Sequence, residues 1–334
     1  MKPIIGITMG DCNGIGPEVV LKCLAWGAVR KTCSPVLIGS LHVFEWYEKR
    51  LKLNLSFRQV GTVPRHVHPG LIPVVDVCND KRPSVKPGKG SRWSGRYAQT
   101  ALESAVELWR LKQIDAVVTA PVSKRAMHDA GCSFPGQTEL IAGLTRCRRY
   151  AMVLIAPSLR VCLVTIHTPI AEIVSALSTE LVLEKISVLH EALKNDFSIR
   201  FPRIAVLGLN PHAGEDGSIG IEEKKYLVPA IGRARRKSVD VEGPFSADGF
   251  FGSRAFAKYD AVLAMYHDKG LIPLKLLGFA KGVNYSAGLP VVRTSPDHGT
   301  AFDIAGKGLA DHRSMLEAMR LASVIVRKRK RGSL

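Results

Sequence analysis

The chain alternates short apolar segments with longer amphipathic ones along nearly its whole length, and this alternation constrains its fold more than any other feature. Apolar runs such as 151–156 and 261–265 have the length of strands, whereas 96–111 repeats its apolar residues with a helical period. Strands that alternate with helices predict a mostly parallel sheet covered by helices on both faces. We therefore predict an α/β fold.

The pattern places the individual elements as follows. The predicted strands are 3–10, 35–40, 71–77, 115–120, 151–156, 161–165, 204–209 and 261–265, and the predicted helices are 17–29, 42–53, 96–111, 170–177, 180–193, 222–236 and 315–326. The segment 79–95 is rich in Gly, Pro, Lys and Ser and predicts a mobile loop. No internal repeat or long low-complexity linker separates the elements.

Length and composition restrict the class of protein. A chain of 334 residues can form two domains, or one large α/β domain. No apolar run reaches the roughly 18 residues that span a bilayer, and the N-terminus lacks the layout of a signal peptide, so we expect a cytoplasmic protein with no membrane partner. Seven scattered cysteines without a CxxC predict reduced thiols and no disulfide framework.

The formal net charge of +18 has two interpretations, a nucleic-acid partner or an anionic substrate. The dense basic run at 327–331 follows an apolar helical stretch, and we predict that it is a solvated tail. Zinc-finger spacing and aromatic-rich basic motifs are absent from the sequence, so nucleic-acid binding is not expected as the primary function.

Three histidines, His167, His212 and His267, each follow an apolar strand. Ligands of open α/β sheets bind at the carboxyl ends of the strands. Three imidazoles that converge there could bind a divalent metal and leave positions open for a substrate. Alternatively, each histidine caps its own strand or bonds to a loop. The shared placement and the acidic neighbours Asp268 and Glu215 favour a metal site.

Four further segments have both a functional and a structural interpretation. The Gly-rich turn within 8–18 could approach a phosphate or be a plain strand-to-helix turn, and Thr138 could bind an anion at the start of a helix or simply cap it. Lys275, Asn284 and Arg293 could donate to a phosphate or carboxylate, or lie on the surface. The polar, Gly-rich segment 295–308 could wrap an adenosine moiety or be an ordinary loop.

Together these motifs resemble one family nearly from end to end. The segments that carry the resemblance are 8–18, 119–124, 135–139, the three histidine motifs, 243–248 and 295–308. In this order they resemble the 4-hydroxythreonine-4-phosphate dehydrogenases of pyridoxal 5′-phosphate biosynthesis. The last segment is also similar to the cofactor-binding loop of isocitrate and isopropylmalate dehydrogenases, whose fold that family shares.

The resemblance implies a two-domain subunit with mostly parallel sheets flanked by helices. It suggests a cofactor-side domain of 1–130 plus 290–334, a metal- and substrate-side domain of 131–289, and a cleft between them. It also implies a homodimer with a shared active site.

The resemblance assigns roles to particular residues. A divalent metal, Zn, Mg or Co, would be held by His167, His212 and His267, with His267 supplied by the partner subunit. The implied substrate contacts are Gln137, Thr138, Lys275, Asn284 and Arg293. The residues expected to face NAD(P) are Asp297, His298, Gly299, Thr300 and Asp303. The candidates for proton transfer or for orienting His267 are Asp248 and Asp268, and Lys275 is a further catalytic candidate.

The implied reaction is oxidation of 4-phosphooxy-L-threonine to a β-keto acid, which decarboxylates to 3-amino-2-oxopropyl phosphate. A divalent metal bound to the substrate hydroxyl would lower its pKa, and hydride would pass to the nicotinamide. Three alternatives remain: a dehydrogenase for another phosphorylated hydroxy acid, such as 4-phospho-D-threonate or D-erythronate; a cis-dihydrodiol dehydrogenase; and a catalytically silent ligand-binding paralogue.

The sequence departs from the family pattern at two places. Gln137 stands where the family usually has His, and an amide can hydrogen-bond but cannot titrate near neutrality. The pair Cys12-Asn13 replaces the more usual Pro-Ala, and the sequence alone gives no reason for this change.

Overall fold

The computed structural model describes residues 2–64, 70–78 and 84–332. Within these ranges the strands are β1 (Ile4–Thr8), β2 (Ser34–Gly39), β3 (Ser56–Gln59), β4 (Leu71–Asp76), β5 (Ala116–Thr119), β6 (Ala151–Ala156), β7 (Leu159–Leu163), β8 (Arg203–Leu207), β9 (Asp240–Phe245), β10 (Ala261–Ala264), β11 (Val283–Ala287) and β12 (Val292–Pro296). The alternation of strands with helices confirms the predicted α/β class.

The α-helices of the described residues are α1 (Gly16–Ala25), α2 (Ala28–Thr32), α3 (Leu41–Leu51), α4 (Arg92–Arg110), α5 (Lys124–Asp129), α6 (Gln137–Leu144), α7 (Ile173–Ala176), α8 (Thr179–Asn195), α9 (Val228–Arg235), α10 (Ala247–Gly252), α11 (His267–Gly278) and α12 (Arg313–Gly332). A π-helical turn, Glu223–Leu227, precedes α9. No helix in the described part of the chain is long and apolar enough to cross a membrane.

The chain divides into two compact units. The first comprises 1–148 and 289–327, and the second comprises 149–288 and 328–334. The first unit continues through residue 148, and α6 packs against α4 within it. A second boundary between the units falls within α12.

The first unit contains a parallel sheet in the order β3-β4-β2-β1-β5-β12. The interior strand β5 is buried along its whole length, as the continuous apolar sequence of a strand covered on both faces requires. Helix α4 covers part of this sheet with a buried stripe at helical spacing that includes Ala98, Leu102 and Ala105.

Serine side chains set where several helices begin. Ser40, Ser91, Ser123 and Ser178 each accept a hydrogen bond from the backbone amide three residues later. Ser91 and Ser94 form a reciprocal capping box, which is why α4 begins at Arg92 and not at residue 96 as predicted. The predicted loop therefore ends earlier, and its residues 79–83 lie outside the described residues.

The second unit contains a mixed sheet in the order β11-β6-β7-β10-β8-β9. Strands β11, β6 and β7 pair antiparallel, whereas β7, β10, β8 and β9 pair parallel. Apolar residues from these strands and from α10 and α11 form one buried cluster that includes Val161, Leu207, Val262 and Leu274. The parallel pairing brings the carboxyl ends of β7, β10 and β8 to the same edge.

The basic C-terminal run is not the solvated tail that we predicted. It forms the last turns of α12, and Lys328 Nζ donates to the carbonyl of Phe197. Arg329 Nη2 donates to Asp196 Oδ2 at 3.1 Å, and the hydroxyl of Tyr285 donates to the same carboxylate. Asp196 is 2% exposed, so its charge needs these partners. They fix the end of α12 to the second unit.

The substitution Asp196→Ala is expected to destabilise the protein. It removes the carboxylate that accepts from the half-buried guanidinium of Arg329 and from the buried hydroxyl of Tyr285. We expect the free energy of unfolding in urea to fall by about 3 kcal/mol. As the control, Glu191→Ala removes an exposed ion pair with Arg149 and should cost less than about 1 kcal/mol. Equal losses for the two variants would contradict the assigned role of Asp196.

Candidate active site

Two of the three histidines lie side by side in the second unit. The rings of His167 and His267 have centroids 6.2 Å apart. The strands before them are also tied together, because the amide and hydroxyl of Thr165 both donate to the carbonyl of Met265, at 3.1 and 2.7 Å. Within one chain, the described residues contain no group of three His, Cys, Asp or Glu side chains that could hold a metal ion.

Acidic side chains lie beside two of the histidines. His267 Nδ1 lies 2.7 Å from Asp268 Oδ1, which leaves Nε2 of the same ring to act as a ligand. The pKa of the exposed Asp248 is lowered, first by the hydroxyl of Ser246, then by the amide of Gly249, with a smaller contribution from His212. Asp268 is therefore placed to orient an imidazole, and Asp248 is ionised at neutral pH.

Sequence reasoning missed two charged residues that hold the segment before His212. Glu223 accepts hydrogen bonds from the amides of Leu209 and Asn210, and Lys269 Nζ donates to the carbonyls of Gly208 and Leu209. Burial lowers the pKa of Lys269. The only sequence signal for this contact was that Lys269 lies two residues after the candidate ligand His267.

In the first unit, Arg293 is buried beside Thr138. Its guanidinium donates to Thr138 Oγ1 at 3.0 Å and to Thr119 Oγ1 at 2.8 and 3.1 Å. Burial lowers the pKa of Arg293 to about 10, opposed by the nearby Glu139, so the side chain stays charged at neutral pH. Arg293 is 2% exposed, so the alternative that this residue lies on the surface is wrong.

The orientation of the Gln137 amide is fixed by a backbone carbonyl. Its Nε2 donates to the carbonyl of Ala120 at 3.2 Å. Because a carbonyl oxygen can only accept, the NH2 group must face it, and Oε1 points elsewhere. Oε1 is buried and has no hydrogen-bond partner among the described residues. This position therefore presents an acceptor that cannot gain or lose a proton near neutrality.

The candidate cofactor loop follows β12. The amide of Asp297 donates to Ser314 Oγ, which fixes the start of the loop against α12. Burial lowers the pKa of His298, so its imidazole is neutral at pH 7. Its Nε2 is buried and has no partner in the described part of the chain. A side chain at Gly299 would meet nothing within 4 Å, so the loop is open at that point.

The first Gly-rich motif is a buried support for this loop. Each residue from 11 to 20 is buried, and the amide of Ile15 donates to the carbonyl of Thr300 at 2.9 Å. A Cβ at Gly14 would lie 3.0 Å from Thr300, which explains the glycine. The hydroxyl of Tyr47 donates to the carbonyls of Cys12 and Gly14. The turn and the loop therefore pack as one body.

The structure gives a reason for the departure at Asn13. Its Oδ1 accepts from the amide of Lys86 at 2.9 Å, and its Nδ2 donates to the carbonyl of Lys89 at 3.0 Å. Its own carbonyl accepts from the amide of Gly88. Alanine at this position would lose both side-chain bonds, so Asn13 ties the segment 84–91 to the Gly-rich turn.

Two further candidates lie in the second unit. Asn284 is on β11, and its Oδ1 is buried with no partner among the described residues. Lys275 is on α11, two turns after His267, and is neither fully buried nor fully exposed. The assigned substrate-binding residues are thus divided, with Gln137, Thr138 and Arg293 in the first unit.

Comparison with known proteins gives the family. Residues 31–322 match the family described as pyridoxal phosphate biosynthetic protein PdxA. The chain belongs to this family. The family predicted from the ordered motifs is therefore confirmed, and the dehydrogenase class with it.

Relatives within the family have more than one name. The chain is 44% identical over 328 residues to a 4-hydroxythreonine-4-phosphate dehydrogenase of Bacteroides thetaiotaomicron, covering 98% of this chain and 90% of the relative. It is also 44% identical over 330 residues to a D-threonate 4-phosphate dehydrogenase of Cupriavidus necator, covering 98% of both chains. Overall identity therefore does not separate the two names.

Solved structures agree with the fold. The crystal structure of a 4-hydroxythreonine-4-phosphate dehydrogenase from Klebsiella pneumoniae matches with a TM-score of 0.88 and 39% identity, covering 98% of each chain. Isocitrate dehydrogenase from Methylococcus capsulatus matches with a TM-score of 0.51 and 13% identity, covering 98% of this chain and 85% of that one. The second match concerns the fold alone and confirms the expected architecture.

Proposed function

We propose that this chain catalyses the metal-dependent, NAD(P)-linked oxidation of a small phosphorylated hydroxy acid, with 4-phosphooxy-L-threonine as the first candidate. The product would be a β-keto acid that decarboxylates to 3-amino-2-oxopropyl phosphate. One observation carries the proposal. Of six buried side-chain atoms without a hydrogen-bond partner in the described residues, three belong to Gln137, Asn284 and His298. Burying a polar atom without a hydrogen bond costs free energy unless a ligand supplies the missing bond. The motifs assign these three residues to substrate and cofactor binding.

The chemistry of the histidines fits a divalent metal. Asp268 on Nδ1 of His267 fixes the ring orientation that metal-binding histidines usually need. We propose His167, His212 and His267 as the ligands of Zn, Mg or Co, with His267 of the partner subunit completing the set. Such a metal would supply Lewis-acid activation of the substrate hydroxyl.

The chain's own residues then have separate tasks. Arg293, held by two threonines, offers a fixed positive charge to a phosphate or carboxylate, Lys275 is a proposed donor to the substrate, and Asn284 presents a buried acceptor. Asp248 carries a negative charge at neutral pH and is our candidate to receive the hydroxyl proton, and a bound NAD(P) would supply the hydride acceptor. Residues 297–303 would hold NAD(P), with Asp297, His298, Gly299, Thr300 and Asp303 facing it.

A second candidate substrate is 4-phospho-D-threonate. The fixed acceptor of Gln137 supports it equally, because both acids carry donor groups beside the reacting carbon. D-Erythronate phosphate is a further alternative of the same kind, whereas a cis-dihydrodiol is less well supported, because the buried cation of Arg293 favours a phosphorylated substrate. We place the reaction in the cytoplasm, a compartment that suits seven scattered cysteines without a CxxC motif.

An exposed apolar surface supports the proposed homodimer. Leu276 is 84% exposed and Ile272 is 60% exposed, one helical turn apart on α11. Ile170 is 80% exposed in the segment that follows His167. Large exposed apolar side chains mark association surfaces, and α11 begins at His267. A second copy of the chain on this surface would lie beside the histidines.

The direct test is NADH formation with three substrates: 4-phosphooxy-L-threonine, 4-phospho-D-threonate and unphosphorylated threonine. We expect turnover of a phosphorylated acid that a chelator abolishes and added zinc, cobalt or magnesium restores, because the hydroxyl needs activation. Turnover of 4-phosphooxy-L-threonine would place the enzyme in vitamin B6 synthesis. Turnover of 4-phospho-D-threonate alone would place it in a different pathway. Tight binding of metal and NAD without any turnover would favour the silent paralogue.

Replacing Gln137 tests the role of its acceptor. In Gln137→Leu, a substrate donor would be left unpaired, which costs about 1–3 kcal/mol and should raise KM about 10- to 100-fold. In Gln137→His, turnover should persist and the pH profile of kcat/KM should gain an ionisation near the usual imidazole pKa of about 6.5. The wild type serves as the control without that ionisation. Unchanged KM in the leucine variant would exclude contact with the substrate.

The proposed dimer interface can be tested by measuring the molecular mass of the protein in solution. Leu276→Glu places a charge in the centre of the proposed interface and should convert the dimer to monomers by light scattering. Leu111→Glu, at a residue 58% exposed at the end of α4, is the matched control and should stay dimeric. A monomeric wild type, or a dimeric Leu276→Glu variant, would contradict the proposed interface.

A further inference from the structure

The segment that carries His212 has a rare backbone conformation. Five consecutive residues, His212, Ala213, Gly214, Glu215 and Asp216, have φ values of 51°, 52°, 79°, 39° and 51°. Four of them are not glycine, and left-handed backbone costs an L-residue roughly 1–2 kcal/mol. Strain of this kind persists only where surrounding contacts hold it. The contacts that hold this turn therefore determine where His212 lies.

Glu223 binds the segment 208–210, which leads into the turn, from one side. Its Oε1 accepts from the amides of Leu209 and Asn210 at 2.8 and 2.7 Å, and its Oε2 accepts from Asn210 Nδ2 at 2.9 Å. A Cβ at Gly214 would lie 2.6 Å from Oε2, so the turn packs directly on this carboxylate. Glu223 is 3% exposed, which makes these charge-assisted bonds strong.

Lys269 holds the same segment from the other side. Its Nζ donates to the carbonyls of Gly208 and Leu209 at 2.9 and 2.6 Å. Lys269 lies in the first turn of α11, which begins at His267. One ammonium group therefore links the helix that carries one candidate ligand to the strand end that leads to another.

We propose that Glu223 and Lys269 are positioning residues that hold the left-handed turn 212–216 and so set the position of His212 for metal binding. The carboxylate binds the amides and the ammonium binds the carbonyls of the same short segment, 208–210. The inference rests on the proposed metal function. Neither residue is a metal ligand or a substrate contact, so their effect is on affinity for the metal.

The test is zinc affinity, measured by competition with a chromophoric chelator on the full-length protein. Lys269→Met keeps the length of the side chain and removes the ammonium, and Glu223→Gln keeps the shape and removes the charge. We expect either variant to bind zinc about 10- to 100-fold more weakly, as loss of groups that orient metal ligands typically does. Lys237→Met, at an exposed lysine of the same unit, is the control and should match the wild type.

Two further measurements separate positioning from loss of the fold. Lys269→Arg retains a cation with several donors and should restore affinity to within about threefold of the wild type. Hydrogen exchange on the metal-free protein should show faster exchange of the Leu209 and Asn210 amides in Glu223→Gln, with the β10 amides still protected.

The outcomes distinguish the two proposals. Zinc affinity of Lys269→Met and Glu223→Gln within threefold of the wild type would overturn the positioning role while leaving the metal site intact. A wild type that binds no zinc, cobalt or magnesium would overturn the proposed metal function itself, and this inference with it. A global loss of protection in Glu223→Gln, with normal zinc affinity in Lys269→Met, would also overturn it.

Discussion

The parallel pairing of β7 with β10 and of β10 with β8 is the constraint on which the candidate site depends. It brings three strand ends to one edge of the second unit, and a histidine follows each of them. Pairing alone fixes these ends only approximately, because the histidines lie in the connections beyond the strands. Thr165 ties the first end to the second through Met265, and Lys269 ties the second to the third.

Local periodicity was sufficient to predict the long helices and several buried strands, because each of these carries its signal within its own sequence, but it missed the buried strand β12 and the mostly buried β11. It failed for β3, which is short, polar and mostly exposed, and for α11, where Gly270 and Pro273 lower the helical propensity. The structure explains Gly270, since a Cβ there would lie 2.6 Å from Val161. Close packing on the sheet outweighs the local preference in that helix.

The sequence indicated which residues form the candidate site, but not which of their atoms face a ligand. The orientation of the buried acceptor of Gln137 follows from the carbonyl of Ala120, which is 17 residues away in the chain. The local sequence wrongly predicts a solvated basic C-terminus, because the partner Asp196 is 133 residues away in the chain. Contacts of this kind leave no pattern in the local sequence, and the roles of Glu223 and Asn13 were missed for the same reason.

The measurement that tests the central claim most directly is X-ray absorption at the zinc edge of the zinc-loaded protein, because it identifies the ligands without depending on turnover. The account predicts three imidazole nitrogens at about 2.0–2.1 Å with further light-atom ligands and no sulfur. Replacing His212 with Ala should reduce the imidazole contribution to two. Zinc bound by thiolates, or an imidazole contribution unchanged by that substitution, would contradict a site built on His167, His212 and His267.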